Sequence, residues 1–154
     1  MSPTNHVTVE SASAEQLLRD CGLNVTEQRL AILDAVSLLP HATAEDIISQ
    51  SRESIGSISR QAVFDALNVF TDKKIIRRIQ PAFSPARYEA RINDNHHHVV
   101  CRHCGDTQDV NCAVGFRPCL EAANDHGFTI DEAEVIYWGI CPSCKNNDLK
   151  KEGA

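Results

Sequence analysis

Asn95-His96-His97-His98-Val99-Val100-Cys101-Arg102-His103-Cys104 places three consecutive histidines just ahead of a Cys-x-x-Cys, and a second Cys-x-x-Cys stands at Cys141 and Cys144. Each pair suits a tight turn, and the long connection between the pairs can fold while the two turns close around one ion. Cys101, Cys104, Cys141 and Cys144 therefore read as a tetrahedral four-thiolate site, and zinc is the ion that suits it. Disulfides are the weaker reading, because the chain shows no secretory signal and paired Cys-x-x-Cys elements in a reducing setting read as metal sites. A zinc held by four cysteines is complete. The histidines beside it point to a second metal site with other work to do.

The chain has 154 residues and a formal charge of -6 at pH 7, unevenly spread. Residues 1–18 hold two acids and no Lys or Arg, residues 19–91 ten basic and nine acidic side chains, and residues 92–154 five basic and ten acidic. The change near residue 92 divides the chain into a flexible tail over 1–12, a first domain over 13–92 and a second over 93–154. An acidic whole argues against indiscriminate nucleic-acid binding but leaves room for a local basic face. No apolar run approaches the ~20 residues that span a bilayer, and Met1–Ser13 lacks the basic start and apolar core of a signal peptide. The expectation is a cytoplasmic protein with no membrane partner.

Organisation begins at Ser13, with Leu17, Leu18 and Cys21 at helical spacing and Gly22 as a stop. Thr26 resembles an N-cap for a second helix carrying Leu30, Leu33 and Val36 and running to Pro40. Thr43-Ala44-Glu45-Asp46 opens a third, with Ala44, Ile47 and Ile48 facing a core. Ser54–Ile58 reads as a turn. Ser59 caps a fourth helix whose Val63, Ala66, Leu67 and Phe70 form a stripe, with Phe64 left on the surface. Ile75–Ile79, the turn Pro81–Pro85 and Arg87–Arg91 read as a two-stranded hairpin with basic flanks.

Helices followed by a basic hairpin suggest a winged helix, in which the helix from Ser59 enters the major groove and the hairpin follows a phosphate backbone. The competing reading of that helix is an ordinary amphipathic core element. The second domain is more β-like, with strands near His98–Cys101, Thr107–Val110, Phe128–Ile130 and Glu134–Gly139 and a helix over Pro118–Asn124. The whole is an α+β chain, a winged-helix domain followed by a small zinc-stapled α+β domain. So small a unit has little core of its own, which suggests pairing with a twin and a near-palindromic DNA site.

Thr26-Glu27-Gln28-Arg29, Pro40-His41-Ala42-Thr43-Ala44-Glu45-Asp46, the helix from Ser59, Ala86-Arg87-Tyr88-Glu89, His96-His97-His98 and the two Cys-x-x-Cys pairs occur in one order over nearly the whole chain. Together they resemble the ferric uptake regulator (Fur) family. Ser59-Arg60-Gln61-Ala62-Val63, Asp94-Asn95-His96-His97-His98, Cys112-Ala113-Val114-Gly115 and Asp131–Gly139 are similar to its actinobacterial FurA/CatR branch of redox-responsive repressors, encoded beside catalase-peroxidases. The resemblance implies a homodimeric, metal-dependent repressor of operator DNA, with no enzymatic activity and no organic substrate.

The family's regulatory metal site carries over to His41, Glu89, His96, His98 and Asp109. Alternate strand residues share a face, so His96 and His98 can meet one ion while His97 points away. Nitrogens with carboxylates suit Fe(II) or Mn(II). For DNA, the helix capped by Ser59 is expected to be the reader, with Arg60, Gln61 and Phe64 nearest the bases and Arg29, Arg77, Arg78 and Arg87 mainly on phosphates. A further metal site of many relatives is in question, since its places hold Asn95, His97, Phe116 and Ala133. Cys112 and Cys119 lie outside the zinc pattern and read either as a redox pair or as two buried thiols. The resemblance implies peroxide sensing through Fe(II) and control of catalase-peroxidase-type defence genes, with sensing of iron supply as the alternative, and a zinc enzyme would need a base or oxyanion element that no nearby residue supplies.

Overall fold

The computed structural model describes residues 11–91, 94–115 and 118–152, which fall into two compact units, residues 1–92 and 93–154. Residues 1–10 of the expected tail, His6 among them, and Phe116 lie outside the described residues.

The first unit opens with α1 (Ser11–Asp20), two residues earlier than the sequence reading placed it. Gly22 sits at φ 72°, where a left-handed residue lets the Gly22 and Leu23 amides turn back on the Arg19 and Leu18 carbonyls and close the helix. Thr26 caps α2 (Glu27–Leu38) by accepting from the Arg29 amide. Thr43 does the same for α3 (Ala44–Ile55), and the Asp46 carboxylate returns a bond to the Thr43 amide. The Thr43 hydroxyl and amide hold that carboxyl below its ordinary value. Ser59 caps α4 (Arg60–Asp72) through the Ala62 amide. Each such cap contributes about 1 kcal/mol by satisfying amides that have no partner within the helix.

Leu18, Ile32, Val36, Ile47, Ile48, Val63, Leu67 and Phe70 are all buried in one core. Two expectations need correction here. Helix α3 continues to Ile55 and ends at Gly56, so the turn is shorter than Ser54–Ile58. Phe64 is half-buried and packs against the core instead of standing free, and it borders a groove together with Arg78 and Tyr88 of the wing. The wing itself is β2 (Arg77–Ile79) and β3 (Arg87–Glu89), antiparallel, with Arg78 opposite Tyr88. A third strand, β1 (Ala42–Thr43), pairs with the outer side of β3, Ala42 opposite Tyr88. It is too short to leave a sequence pattern, yet it brings His41 to the sheet.

The second unit is a three-stranded sheet in the order β5-β4-β6, followed by a helix. β4 (His96–Cys101) pairs antiparallel with β5 (Thr107–Asn111), His98 opposite Asp109, and parallel with β6 (Ile136–Gly139), Val99 opposite Tyr137. Gly105, at φ 77°, turns the chain between β4 and β5. The expected helix over Pro118–Asn124 and strand over Phe128–Ile130 are absent, and β6 starts at Ile136. Leu120, Phe128 and Ile130 are exposed, so among the described residues these segments have little apolar burial to hold them in regular structure. Helix α5 (Pro142–Glu152) was not foreseen: it is polar, and its start is set by Pro142 at the first helical position. No helix among the described residues is long and apolar enough to cross a membrane.

Candidate metal centre and nucleic-acid interface

Cys101 ends β4, Cys104 lies on the turn behind it, and Cys141 and Cys144 stand at the start of α5. The four are free thiols whose sulfurs lie within 4.8 Å of one another, with Cys104 Sγ and Cys141 Sγ 3.7 Å apart. Zn–S bonds of about 2.3 Å arranged tetrahedrally set an S···S edge of about 3.8 Å, so the cluster has the dimensions of a zinc site. Backbone amides serve it: Cys141 N–H donates to Cys101 Sγ at 3.3 Å and Cys144 N–H to Cys141 Sγ at 3.5 Å. The amides of Cys104 and Cys141 bring the Cys101 thiol down to about 6. The sulfurs of Cys141 and Cys104 push the Cys144 thiol up to about 12. Such a crowd of thiols ionises together only around a cation, so the donor set fits zinc.

In the first unit, the chain leaves α2 through His41, whose φ of 60° is left-handed although it is not glycine. This conformation turns the imidazole inward, and His41 Nε2 lies 3.1 Å from Glu89 Oε2 at the end of β3. Both are buried, His41 at 8% exposure and Glu89 at 2%. Arg77 approaches the other carboxylate oxygen at 4.0 Å. Arg87, expected on phosphate, is half-buried and donates to the His41 carbonyl at 2.9 Å.

In the second unit, His96 and His98 are fully buried on one side of β4. Their Nε2 atoms lie 3.6 and 3.5 Å from the same Asp109 oxygen, which β5 presents opposite them. His96 Nδ1 meets Asp94 at 2.9 Å, and His98 Nδ1 faces Glu134 at 3.7 Å. The Asp94 carboxylate, within hydrogen-bond distance of His96 Nδ1, holds a proton there and leaves the Nε2 lone pair of that ring available to a metal. Asp94 and Glu134 were not singled out as site residues, because acids near a histidine are too common to mark a role. His97 turns to the other side of the strand, where its Nε2 is 3.2 Å from Cys119 Sγ. His103 stays outside these groups, 3.7 Å from Asp148.

On the exposed face of α4, Arg60 is bound bidentately by Glu45, at 2.7 and 2.5 Å, both side chains more than half exposed. This pair lowers the Glu45 carboxyl and raises the Arg60 guanidinium. Gln61 donates to Asp65 at 2.8 Å. Phe64 and Asn68 of α4, Glu45 of α3 and Arg78 of β2 border a groove of about 310 Å³. Arg78 is exposed beside Gln80, at 2.9 Å, and Arg29 donates to the Asn24 carbonyl at 2.7 Å.

The model of the ferric uptake regulator family matches residues 20–138. The chain belongs to that family. The transcriptional regulator FurA of Mycobacterium tuberculosis is 52% identical over 138 residues, 90% of this chain and 93% of that protein. Ferric uptake regulation protein 1 of Mycolicibacterium fortuitum is 57% identical over 122 residues, 79% of this chain and 76% of that one. Among solved structures, the ferric uptake regulator of Pseudomonas aeruginosa with manganese superposes with a TM-score of 0.64 at 22% identity, covering 84% of this chain and 98% of that chain. The two-domain Fur-type fold, the mixed helix-plus-sheet class and the role of a metal-responsive transcriptional regulator follow from this membership.

Proposed function

We propose that this Fur-family chain is a cytoplasmic homodimeric repressor whose grip on near-palindromic operator DNA depends on a regulatory Fe(II) or Mn(II), and which reports peroxide through that site. The observation that carries the reading is the arrangement of His96 and His98, buried side by side on β4 with both Nε2 atoms turned to Asp109, and with His96 Nδ1 held by Asp94. An imidazole and carboxylate set without sulfur suits Fe(II) and Mn(II) better than thiophilic ions. In this reading His41 and Glu89 supply the remaining donors from the first domain. The ion then favours one arrangement of the two domains by the difference in its affinity for the two arrangements.

Cys101, Cys104, Cys141 and Cys144 hold a structural zinc in the second domain. Exposed Tyr137, Leu120 and Ile140 supply apolar area for the twofold partner, since only Val100 and Cys101 are buried apolar residues among the described ones of that unit. The helix from Ser59 enters the major groove, and Arg60 exchanges Glu45 for a base edge there. Arg29, Arg77, Arg78 and Arg87 serve the phosphate backbone, Arg87 through the loop it braces at His41. Bound Fe(II) supplies one-electron chemistry with peroxide beside its own ligands, which Mn(II) does not under mild conditions. Oxygenation of His41, His96 or His98 would remove a donor and release catalase-peroxidase-type defence genes.

Fe(II)-loaded and Mn(II)-loaded dimers exposed to low peroxide, assayed for operator binding and mapped by mass spectrometry, test this. Release confined to the iron form, with added oxygen on those histidines, is the expected result. Unchanged binding in both forms would leave sensing of iron supply as the account.

A further inference from the structure

The tip of the wing is the turn Pro81–Ser84, closed by the Ser84 amide on the Pro81 carbonyl at 3.2 Å and braced by Gln80, whose Nε2 donates to the Ser84 carbonyl at 2.9 Å. Phe83 is the third residue of that turn, at φ 60°. A positive φ at this place ordinarily goes to glycine, because a Cβ there crowds the backbone. The phenylalanine ring finds no cover for itself: it is 110% exposed. Two costs therefore meet at one residue, a left-handed backbone and a large apolar ring left in water. Strain of that kind belongs with a residue that acts on something outside its own chain.

The surroundings of Phe83 say what that partner is. Residues 73–91 carry six Lys and Arg and a single acid, Glu89, which is buried beside His41. Lys73, Lys74 and Arg78 are exposed, and Arg78 donates to the neutral Gln80 at 2.9 Å. A polyanion suits this setting, and a duplex is a polyanion that also offers apolar surface, in the sugar faces and base edges of its minor groove. Arg78 and Tyr88 of the wing border one groove with Phe64 and Asn68 of α4. A duplex that takes α4 into its major groove meets the wing across one phosphate backbone, and the groove beyond that backbone is the minor groove.

We propose that Phe83 is a specificity-determining residue that seats its ring in the minor groove flanking the half-site read by α4, and so selects A·T pairs there. The inference rests on α4 being the major-groove reader. An A·T pair shows only acceptors in the minor groove, whereas guanine adds its amino group, a donor that the ring would cover without replacing its hydrogen bond to water. The ring is uncharged, so it adds sequence preference without adding salt dependence.

Full-length, zinc-loaded protein with Mn(II) is titrated by fluorescence anisotropy against duplex DNA from upstream of its own gene, with flanking A·T pairs replaced singly. Diaminopurine in place of adenine adds the minor-groove amino group and leaves the major groove as it was. An inosine·cytosine pair does the reverse. Diaminopurine is expected to weaken binding about tenfold at one pair in each flank, the ordinary cost of a wrong base pair, and inosine·cytosine at that pair is not. Phe83→Gly, suited to the positive φ, is expected to be at least as stable to urea, to bind unmodified DNA about tenfold more weakly at an unchanged salt slope, and to ignore diaminopurine. Phe83→Leu, which keeps an apolar side chain, should recover part of the affinity. Arg60→Ala separates the inference from the reading of α4, since it is expected to lose preference inside the half-site and keep the diaminopurine effect in the flank. A Phe83→Gly protein with the wild-type affinity and the wild-type response to diaminopurine overturns the proposal. So does wild-type binding to phosphatidylglycerol vesicles that Phe83→Gly loses while its DNA affinity stays, since the ring then serves a lipid surface.

Discussion

His41 and Glu89, 48 positions apart in sequence, meet inside the first unit with Nε2 and Oε2 separated by 3.1 Å. The contact exists because His41 accepts a left-handed backbone, φ 60°, at the mouth of a two-residue strand. Such a conformation costs a residue with a Cβ roughly 1–2 kcal/mol, and glycine avoids the cost. His41→Gly should therefore be more stable to urea than His41→Ala by about 1 kcal/mol, while both lose Mn(II) affinity. Equal stability of the two variants would show that the backbone here carries no strain.

Asp94 should matter to metal affinity without being a ligand. Its carboxylate fixes the Nδ1 proton of His96 at 2.9 Å. Asp94→Asn should weaken Mn(II) binding by about 10- to 100-fold, the usual effect of removing the group that orients a ligating imidazole. Isothermal titration reads it. An unchanged affinity would sever Asp94 from the site.

Zinc binding should release protons at pH 7. In the zinc-free protein, pH 7 lies above the Cys101 value of about 6 and far below the Cys144 value of about 12. Cys101 is then ionised while Cys144 keeps its proton until a metal displaces it. The consequence for pH follows: acid restores protons to sulfur and opposes the metal, so zinc is retained at neutral pH and lost as pH falls. Indicator-dye titration during zinc addition checks the release, and zinc uptake without proton release would contradict four-thiolate ligation. Because such ions contribute on the order of 10 kcal/mol to small domains, Cys101→Ser should cost the second domain its fold.

Arg60 and Arg78 should fail in different ways. Arg78→Ala should weaken binding to all DNA sequences and lower the salt slope by about one unit. Arg60→Ala should blur preference at one operator position. Glu45→Gln, which frees Arg60 from its bidentate partner, should strengthen DNA binding. An Arg60→Ala protein with unchanged affinity and preference would remove α4 from the groove.

Much of the first unit was legible in the sequence because its signals are local. Thr26, Thr43 and Ser59 sit one residue ahead of apolar stripes, and each accepts an amide of its own first turn. The alternation of His96 and His98 was likewise readable, because side-chain parity on a strand needs only the backbone. What could not be read depends on partners far along the chain or beyond it. Strand β1 exists only through β3. Phe64 is half-buried against core residues from other elements, which its own helix does not announce. The apolar residues Leu120, Phe128 and Ile130, in segments expected to be a helix and a strand, are exposed. Helix α5 is polar enough to show no stripe at all.

The most direct measurement of the central claim is fluorescence anisotropy of labelled DNA from upstream of the protein's own gene, titrated with the zinc-loaded dimer at fixed salt, with and without Mn(II). Coupling between a metal site and a DNA site of the ordinary size predicts that Mn(II) tightens binding on the order of tenfold or more. The gain should vanish in His96→Ala and His98→Ala. Equal affinity with and without Mn(II), at full Mn(II) occupancy, would contradict metal control of DNA binding.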